Sequence, residues 1–199
     1  MQLKLSIIAI TFFIFVSFSS LAQSPVNFGV KGGINLSLFL GDNVNANTFL
    51  TSPHFGGLAQ IGLGENDEGF MQYAFQAEAF YSGQGAKDES GKTTLSYLNV
   101  PLMIQRYLWS SGFYLETGPQ VGFLLAAKTK DPEGTVNVKN QLKSVDFALN
   151  FGLGYKFNSG VGINARLSNG LTSVSSESNV KNVTIGLGLF YIFGKKNND

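Results

Sequence analysis

Residues 146–157, DFALNFGLGYKF, alternate from end to end. Phe147, Leu149, Phe151, Leu153, Tyr155 and Phe157 fall on one parity; Asp146, Ala148, Asn150, Gly152, Gly154 and Lys156 fall on the other. A period of two held over this length describes a strand with one apolar face and one polar or small face. The same pattern continues in both directions. Towards the C-terminus, Val161, Ile163, Ala165 and Leu167 alternate with Gly162, Asn164, Arg166 and Ser168. Val183, Ile185, Leu187, Leu189, Tyr191 and Phe193 then alternate with Asn182, Thr184, Gly186 and Gly188. Towards the N-terminus, comparable stretches cover 112–125, 98–105, 70–82, 54–63 and 26–36. That makes eight predicted strands.

The connections alternate as well. Long polar ones cover 39–53, 83–94, 127–144 and 171–181, and short ones cover 64–69, 109–111 and 158–160. An up-and-down barrel with its termini in the periplasm has this rhythm of short turns and longer outward loops. The predicted fold is therefore all-β: an eight-stranded antiparallel up-and-down transmembrane β-barrel with short periplasmic turns and longer extracellular loops. Tyr73, Tyr81, Tyr97, Tyr107, Trp109, Tyr155 and Tyr191, all near strand ends, are expected to form interfacial girdles.

The first residues read differently. Lys4 is followed by an uncharged apolar run over 5–18, LSIIAITFFIFVSF, and then by small residues at Ser20 and Ala22. That order is a secretory signal, cut before Gln23. The run is too short for a spanning helix, which needs roughly 20 apolar residues. The expected organisation is a signal peptide over 1–22 and an outer-membrane β-barrel domain over 23–199. With no cysteine in the chain there is no disulfide, thiolate metal site or lipid-anchor cysteine. A net charge of +1 gives no reason to expect a nucleic-acid partner.

Alternation alone does not say which face points out, since a soluble lipocalin-like ligand binder would bury the apolar one. The other face is rich in Gly, Ala, Asn and Gln, which suits the narrow lumen of an eight-stranded barrel. On a water-facing exterior, so many strand glycines would only weaken the sheet. The apolar face is thus assigned to lipid and the protein to the cell outer membrane.

Six charges then point inward: Lys31, Glu78, Glu116, Asp146, Lys156 and Arg166. Isolated charges are too costly to bury, so they must pair or be solvated. The expectation is a balanced polar network that plugs the lumen, with a narrow charged pore as the alternative.

Residues 97–104, YLNVPLMI, resemble the central strand of the PorT-like outer-membrane β-barrel proteins of Bacteroidetes. Residues 112–125, 146–157 and 183–193 resemble the same family, and 28–35 (FGVKGGIN) resemble its first strand. Asn99 stands where the family often has an acidic residue. The resemblance implies an outer-membrane location and an eight-stranded barrel. Its namesake is associated with protein secretion across the outer membrane, so an accessory role in secretion is a further alternative.

No HExxH, GxSxG or P-loop pattern occurs, and one histidine cannot build a multi-histidine metal site. His54 is read as an exposed residue at a loop–strand junction. Loop and rim residues Asp42, His54, Asp88, Glu89 and the serines of 171–178 are the only places left for an active site. The reading is of a non-enzymatic protein with no catalytic, cofactor-binding or metal-binding residues and no cofactor. Asp42, Lys87, Asp88, Glu89, Lys92, Lys128, Lys130, Asp131, Glu133, Lys139, Lys143 and Glu177 give the loops a mixed-sign surface. The expected partners are outer-membrane lipid and lipopolysaccharide, and a protein through the extracellular loops. The sequence does not specify an oligomeric state.

Overall fold

A period-two chain places its apolar residues on one side only if successive strands pair in register, and here they do. The computed structural model describes residues 25–41, 48–67, 69–88, 91–109, 111–175 and 179–193. The leader read over 1–22, and Asp42, Glu89 and Glu177, lie outside these. The strands are β1 (Val26–Gly41), β2 (Thr48–Glu65), β3 (Met71–Lys87), β4 (Lys92–Tyr107), β5 (Phe113–Asp131), β6 (Gly134–Asn137), β7 (Val145–Lys156), β8 (Val161–Gly170) and β9 (Val180–Phe193). All pairings are antiparallel. The ring closes where β1 meets β9, from Phe28 opposite Phe193 to Gly41 opposite Val180. Eight strands form the ring. The ninth, β6, is a short return strand that prolongs the end of β5 beyond the point where β7 leaves it.

Turns at 66–70, 108–112 and 157–160 lie at the end that holds the two ends of the ring. Connections at the other end are shorter than the sequence reading placed them. β1 runs to Gly41, β3 and β4 nearly meet across 88–91, and β5 continues to Asp131. The physical reason is that the sheet outlasts the lipid. Backbone pairing continues past the apolar band, but there the outward side chains are Lys87, Lys92, Thr94 and Lys128. The apolar–polar contrast that marks a strand is lost while the strand goes on.

The outward wall is apolar. Phe28, Phe55, Ile104, Leu115, Phe151, Leu153, Leu189 and Phe193 are all exposed, as are many more large apolar residues on the same parities. Water-soluble monomers rarely show a continuous apolar surface of this kind. Tyr73, Tyr155, Tyr191 and Trp109 are exposed towards the turn end, and Trp109 stacks on Phe113 at 5.4 Å. Tyr97 and Tyr107 are corrections to the girdle, because both are buried inside the barrel. On β4 the outward parity is even (Leu98, Leu102, Ile104), which turns both odd-numbered tyrosines inward.

Inside, the lumen is layered. Leu58, Ala74, Tyr107, Tyr114, Phe190 and Ile192 form an apolar floor at the turn end. Leu95, Tyr97, Leu124, Ala127 and Val174 form an apolar roof at the loop end, with Phe39, Val138 and Leu142 packed on it. The roof borrows Val174 from the connection after β8 and Val138 and Leu142 from the one after β6, so two connections fold over the mouth. Glycines make room for the aromatic floor. A Cβ on Gly154 would stand 2.4 Å from the Tyr114 hydroxyl and 2.6 Å from the Ile163 carbonyl oxygen. Gly154→Val should therefore lower stability by about 1–3 kcal/mol, the usual cost of overpacking. Urea titration of the protein refolded in vesicles reads this, and an unchanged midpoint would count against the packed floor.

Candidate functional site in the barrel lumen

Between floor and roof lies a polar layer, and its centre is Glu78 on β3. Lys31 on β1 donates from Nζ to Glu78 Oε2 at 2.7 Å. Arg166 on β8 donates from two guanidinium nitrogens to both carboxylate oxygens of Glu78, at 3.0 and 2.7 Å. The Arg166 Nε donates to Glu116 Oε1 on β5 at 2.7 Å. Two acids and two bases thus form a neutral cluster, with every side chain almost completely buried. The fork of Arg166 matches a carboxylate bidentately on one partner and reaches a second with its remaining edge.

One position makes the reach across β7 possible. Glu116 is in register with Gly152 and Gly152 with Arg166. A Cβ on Gly152 would stand 2.7 Å from Glu116 Oε1 and 2.9 Å from the Ala165 carbonyl oxygen, so the missing side chain leaves room for the two to meet across the intervening strand.

Amides satisfy what the ions leave over. Gln76 donates to Glu78 Oε1 at 2.7 Å, and Gln105 donates to Glu116 Oε2 at 3.1 Å. Gln60 joins them, donating to Gln76 Oε1 at 3.1 Å and Gln105 Oε1 at 2.7 Å. Nearer the roof, Asn35 Nδ2 donates to Ser82 Oγ at 2.9 Å and to the Gly83 carbonyl at 2.8 Å. With Asn35 so oriented, its Oδ1 is an acceptor, and His54 Nδ1 at 2.9 Å is the donor. His54 then carries a proton on Nδ1, and its ring meets Phe80 edge-on at 5.9 Å.

The six inward charges named from the sequence do not act as one group. Lys31, Glu78, Glu116 and Arg166 form the cluster. Asp146 lies towards the loop end, where it accepts a hydrogen bond from the Thr172 hydroxyl. The same Thr172 oxygen accepts the Phe147 N–H at 3.0 Å, fastening the connection after β8 to the barrel rim. Lys156 lies towards the turn end, its ammonium 5.2 Å from the Tyr107 ring centre, and it has no carboxylate partner among the described residues. Parity groups Asp146 and Lys156 with the other four because it reports the face of a strand and not the height along it. His54 is a correction: it is a buried lumen residue in β2, only 5% exposed, and not an exposed loop residue. Its place on the even parity with Gln60 was the signal that could have found it.

The polar layer leaves little space. A cavity of about 20 Å³ is lined by Lys31, Asn35, His54, Asn164, Arg166 and Thr184, among others, which is room for a single water. No group of three or more His, Cys, Asp or Glu with metal-binding geometry occurs among the described residues.

A closed antiparallel ring with a lipid-type outer wall and a polar, filled interior defines a small outer-membrane β-barrel. Residues 18–176 match the outer membrane protein beta-barrel domain, and the chain belongs to that family. Among solved structures, Neisserial surface protein A is similar with a TM-score of 0.54 at 13% identity, covering 85% of this chain and 99% of that one. The attachment invasion locus protein Ail of Yersinia pestis has a TM-score of 0.46 at 16% identity, covering 84% of this chain and 98% of that one. No curated protein matches the sequence.

Removing one member of the cluster should cost far more than neutralising a pair. Arg166→Met leaves Glu78 and Glu116 short of their main counter-charge and should destabilise by about 3–5 kcal/mol. Arg166→Met combined with Glu116→Gln should recover part of that loss. Denaturant midpoints of the two variants and of Glu116→Gln close the cycle, and simple additivity would show that the pair is not coupled.

Proposed function

We propose that this protein is a non-enzymatic outer-membrane barrel with a sealed lumen, serving as a rigid support for what its loop end presents to the exterior. The observation that carries this reading is the central ion cluster between two apolar layers. Glu78 is bonded to Lys31, Arg166 and Gln76 at once, so charged side chains held by one another occupy the middle of the lumen. Four charged side chains held by short bonds in a narrow barrel resist displacement, since extracting any one strands its partners.

The non-enzymatic reading is supported by the position of His54. The single histidine of the chain is tied to Asn35 inside the barrel, away from the loops where a substrate would arrive. In this reading residues 1–22 direct export and are removed, and 23–199 form the mature barrel. The strand motifs in 28–35, 97–104 and 183–193 support kinship with the PorT-like proteins of Bacteroidetes in this reading. The partners are outer-membrane lipid, including lipopolysaccharide, and a protein or glycan met at the loop end. An accessory role in secretion would act through that same end, because the lumen itself is filled.

Two measurements test the proposal. The purified protein should migrate faster unboiled than boiled on a gel, as a detergent-resistant barrel does. Inserted in planar bilayers, it should stay electrically silent. Regular conductance steps would overturn the sealed lumen, and the absence of a mobility shift would overturn the barrel.

A further inference from the structure

Four lysines that the sequence scatters among loops come together on one surface. Lys87 at the end of β3 is directly opposite Lys92 at the start of β4, and Lys92 is directly opposite Lys130 on β5. One step lower, Lys128 is opposite Thr94. Directly opposed residues point to the same side of a sheet, so all four share a face. On β4 that face is the even one, which lower down carries Leu98, Leu102 and Ile104. The lysines therefore point sideways out of the wall, continuous with the lipid-facing surface, and do not point up from the mouth.

Like charges set opposite each other across two strand pairs destabilise a sheet. All four are exposed, and none forms an ion pair with an acid among the described residues. The acids close by are engaged in turns. Asp131 Oδ1 accepts the N–H groups of Glu133 and Gly134 at 3.0 and 2.9 Å, and Asp88 Oδ1 accepts that of Gly91 at 2.8 Å. Glu133 itself sits exposed at the tip of the β5–β6 turn. Thr135 and Asn137 of β6, opposite Lys130 and Lys128, widen the same face with polar side chains.

Height identifies the occupant. Leu125 is the last outward leucine of β5, and Lys128 follows three residues later. With a rise of about 3.4 Å per residue, a strand tilt of roughly 40° and an extra residue at the bulge by Leu125, Lys128 stands about 5–8 Å above Leu125 and Lys130 about 10–13 Å. The headgroup layer outside the hydrocarbon is roughly 5–8 Å thick on each side. The lower lysine thus lies at headgroup level, and the upper row can reach down to it with flexible stems. We propose that Lys87, Lys92, Lys128 and Lys130 form a lateral site for the phosphate groups of phosphorylated lipids in the outer leaflet. The counter-charge that these lysines lack among the described residues is then supplied by the membrane around them. This rests on the outer-membrane reading above and adds a side to it: the barrel is anchored to anionic headgroups through β3, β4 and β5.

The test is native mass spectrometry of the folded full-length protein in detergent, titrated with diphosphoryl lipid A and with its dephosphorylated analogue. The protein should bind the phosphorylated lipid, and the paired variant K92Q/K130Q should weaken this about tenfold or more. The charge-matched variant K139Q/K143Q should shift it by no more than about twofold, and K92R/K130R should retain binding. Equal weakening by both glutamine pairs would mean that net charge alone matters, and equal binding of the dephosphorylated lipid would mean that acyl chains alone matter. Either result overturns the proposal. So does loss of soluble heparin binding in K92Q/K130Q with lipid binding intact, which would assign the face to a soluble polyanion. Each variant is first checked for the gel shift on boiling, so a failed barrel is distinguished from a failed site.

Discussion

Closure of the ring between β1 and β9 is the constraint from which the rest follows. In hydrocarbon an unpaired N–H or C=O has no water to turn to, and a sheet with open edges would leave a row of them on either side. Pairing Phe28 with Phe193 at one end of the seam and Gly41 with Val180 at the other removes both edges. Once the ring is closed, every strand must show one parity to lipid and the other to a lumen too narrow for bulk water. The apolar exterior and the polar interior are two consequences of that one closure.

The interior solves a problem of its own. Eight strands leave space for side chains and little else, yet the inward parity of this chain carries ions and amides as well as aromatics. Sorting them by height resolves the conflict. Aromatics and aliphatics close the turn end, ions and amides occupy the middle, and a second apolar group closes the loop end. The apolar layers flank the ion cluster, and burial at this depth strengthens its electrostatics and raises the penalty for leaving any member unpaired. Gly152 shows how local the solution is, because a methyl group there would crowd Glu116 Oε1, the atom that Arg166 holds.

The loop end is built on the same economy. The sheet continues beyond the apolar band, so its outer face passes from leucines to lysines without any break in pairing. The inner face at that height is roofed by Val138, Leu142 and Val174, with Thr172 holding the last connection to Asp146 on the rim. One strand pair thus meets hydrocarbon, headgroups and a folded roof at successive heights. The mixed-sign character of the loop residues, read along the chain, becomes a segregated basic face once strands are paired.

What the sequence determined by itself was parity. The alternation in 146–157 and its seven counterparts decided strand number, the outward and inward side of nearly every residue, and hence the class of fold. Parity even contained the correct direction for Tyr97, Tyr107 and His54, where composition and position in the chain suggested otherwise. Height and partnership were decided only by the tertiary structure. The shear of a closed barrel sets which residues share a level, and no local period encodes it. That is why Lys31, Glu78, Glu116 and Arg166, far apart in the chain, meet at one carboxylate while Asp146 and Lys156, of the same parity, do not. Strand ends are hidden from the sequence for a related reason: a strand is marked there by the contrast between its two faces, and that contrast vanishes where both faces meet polar surroundings.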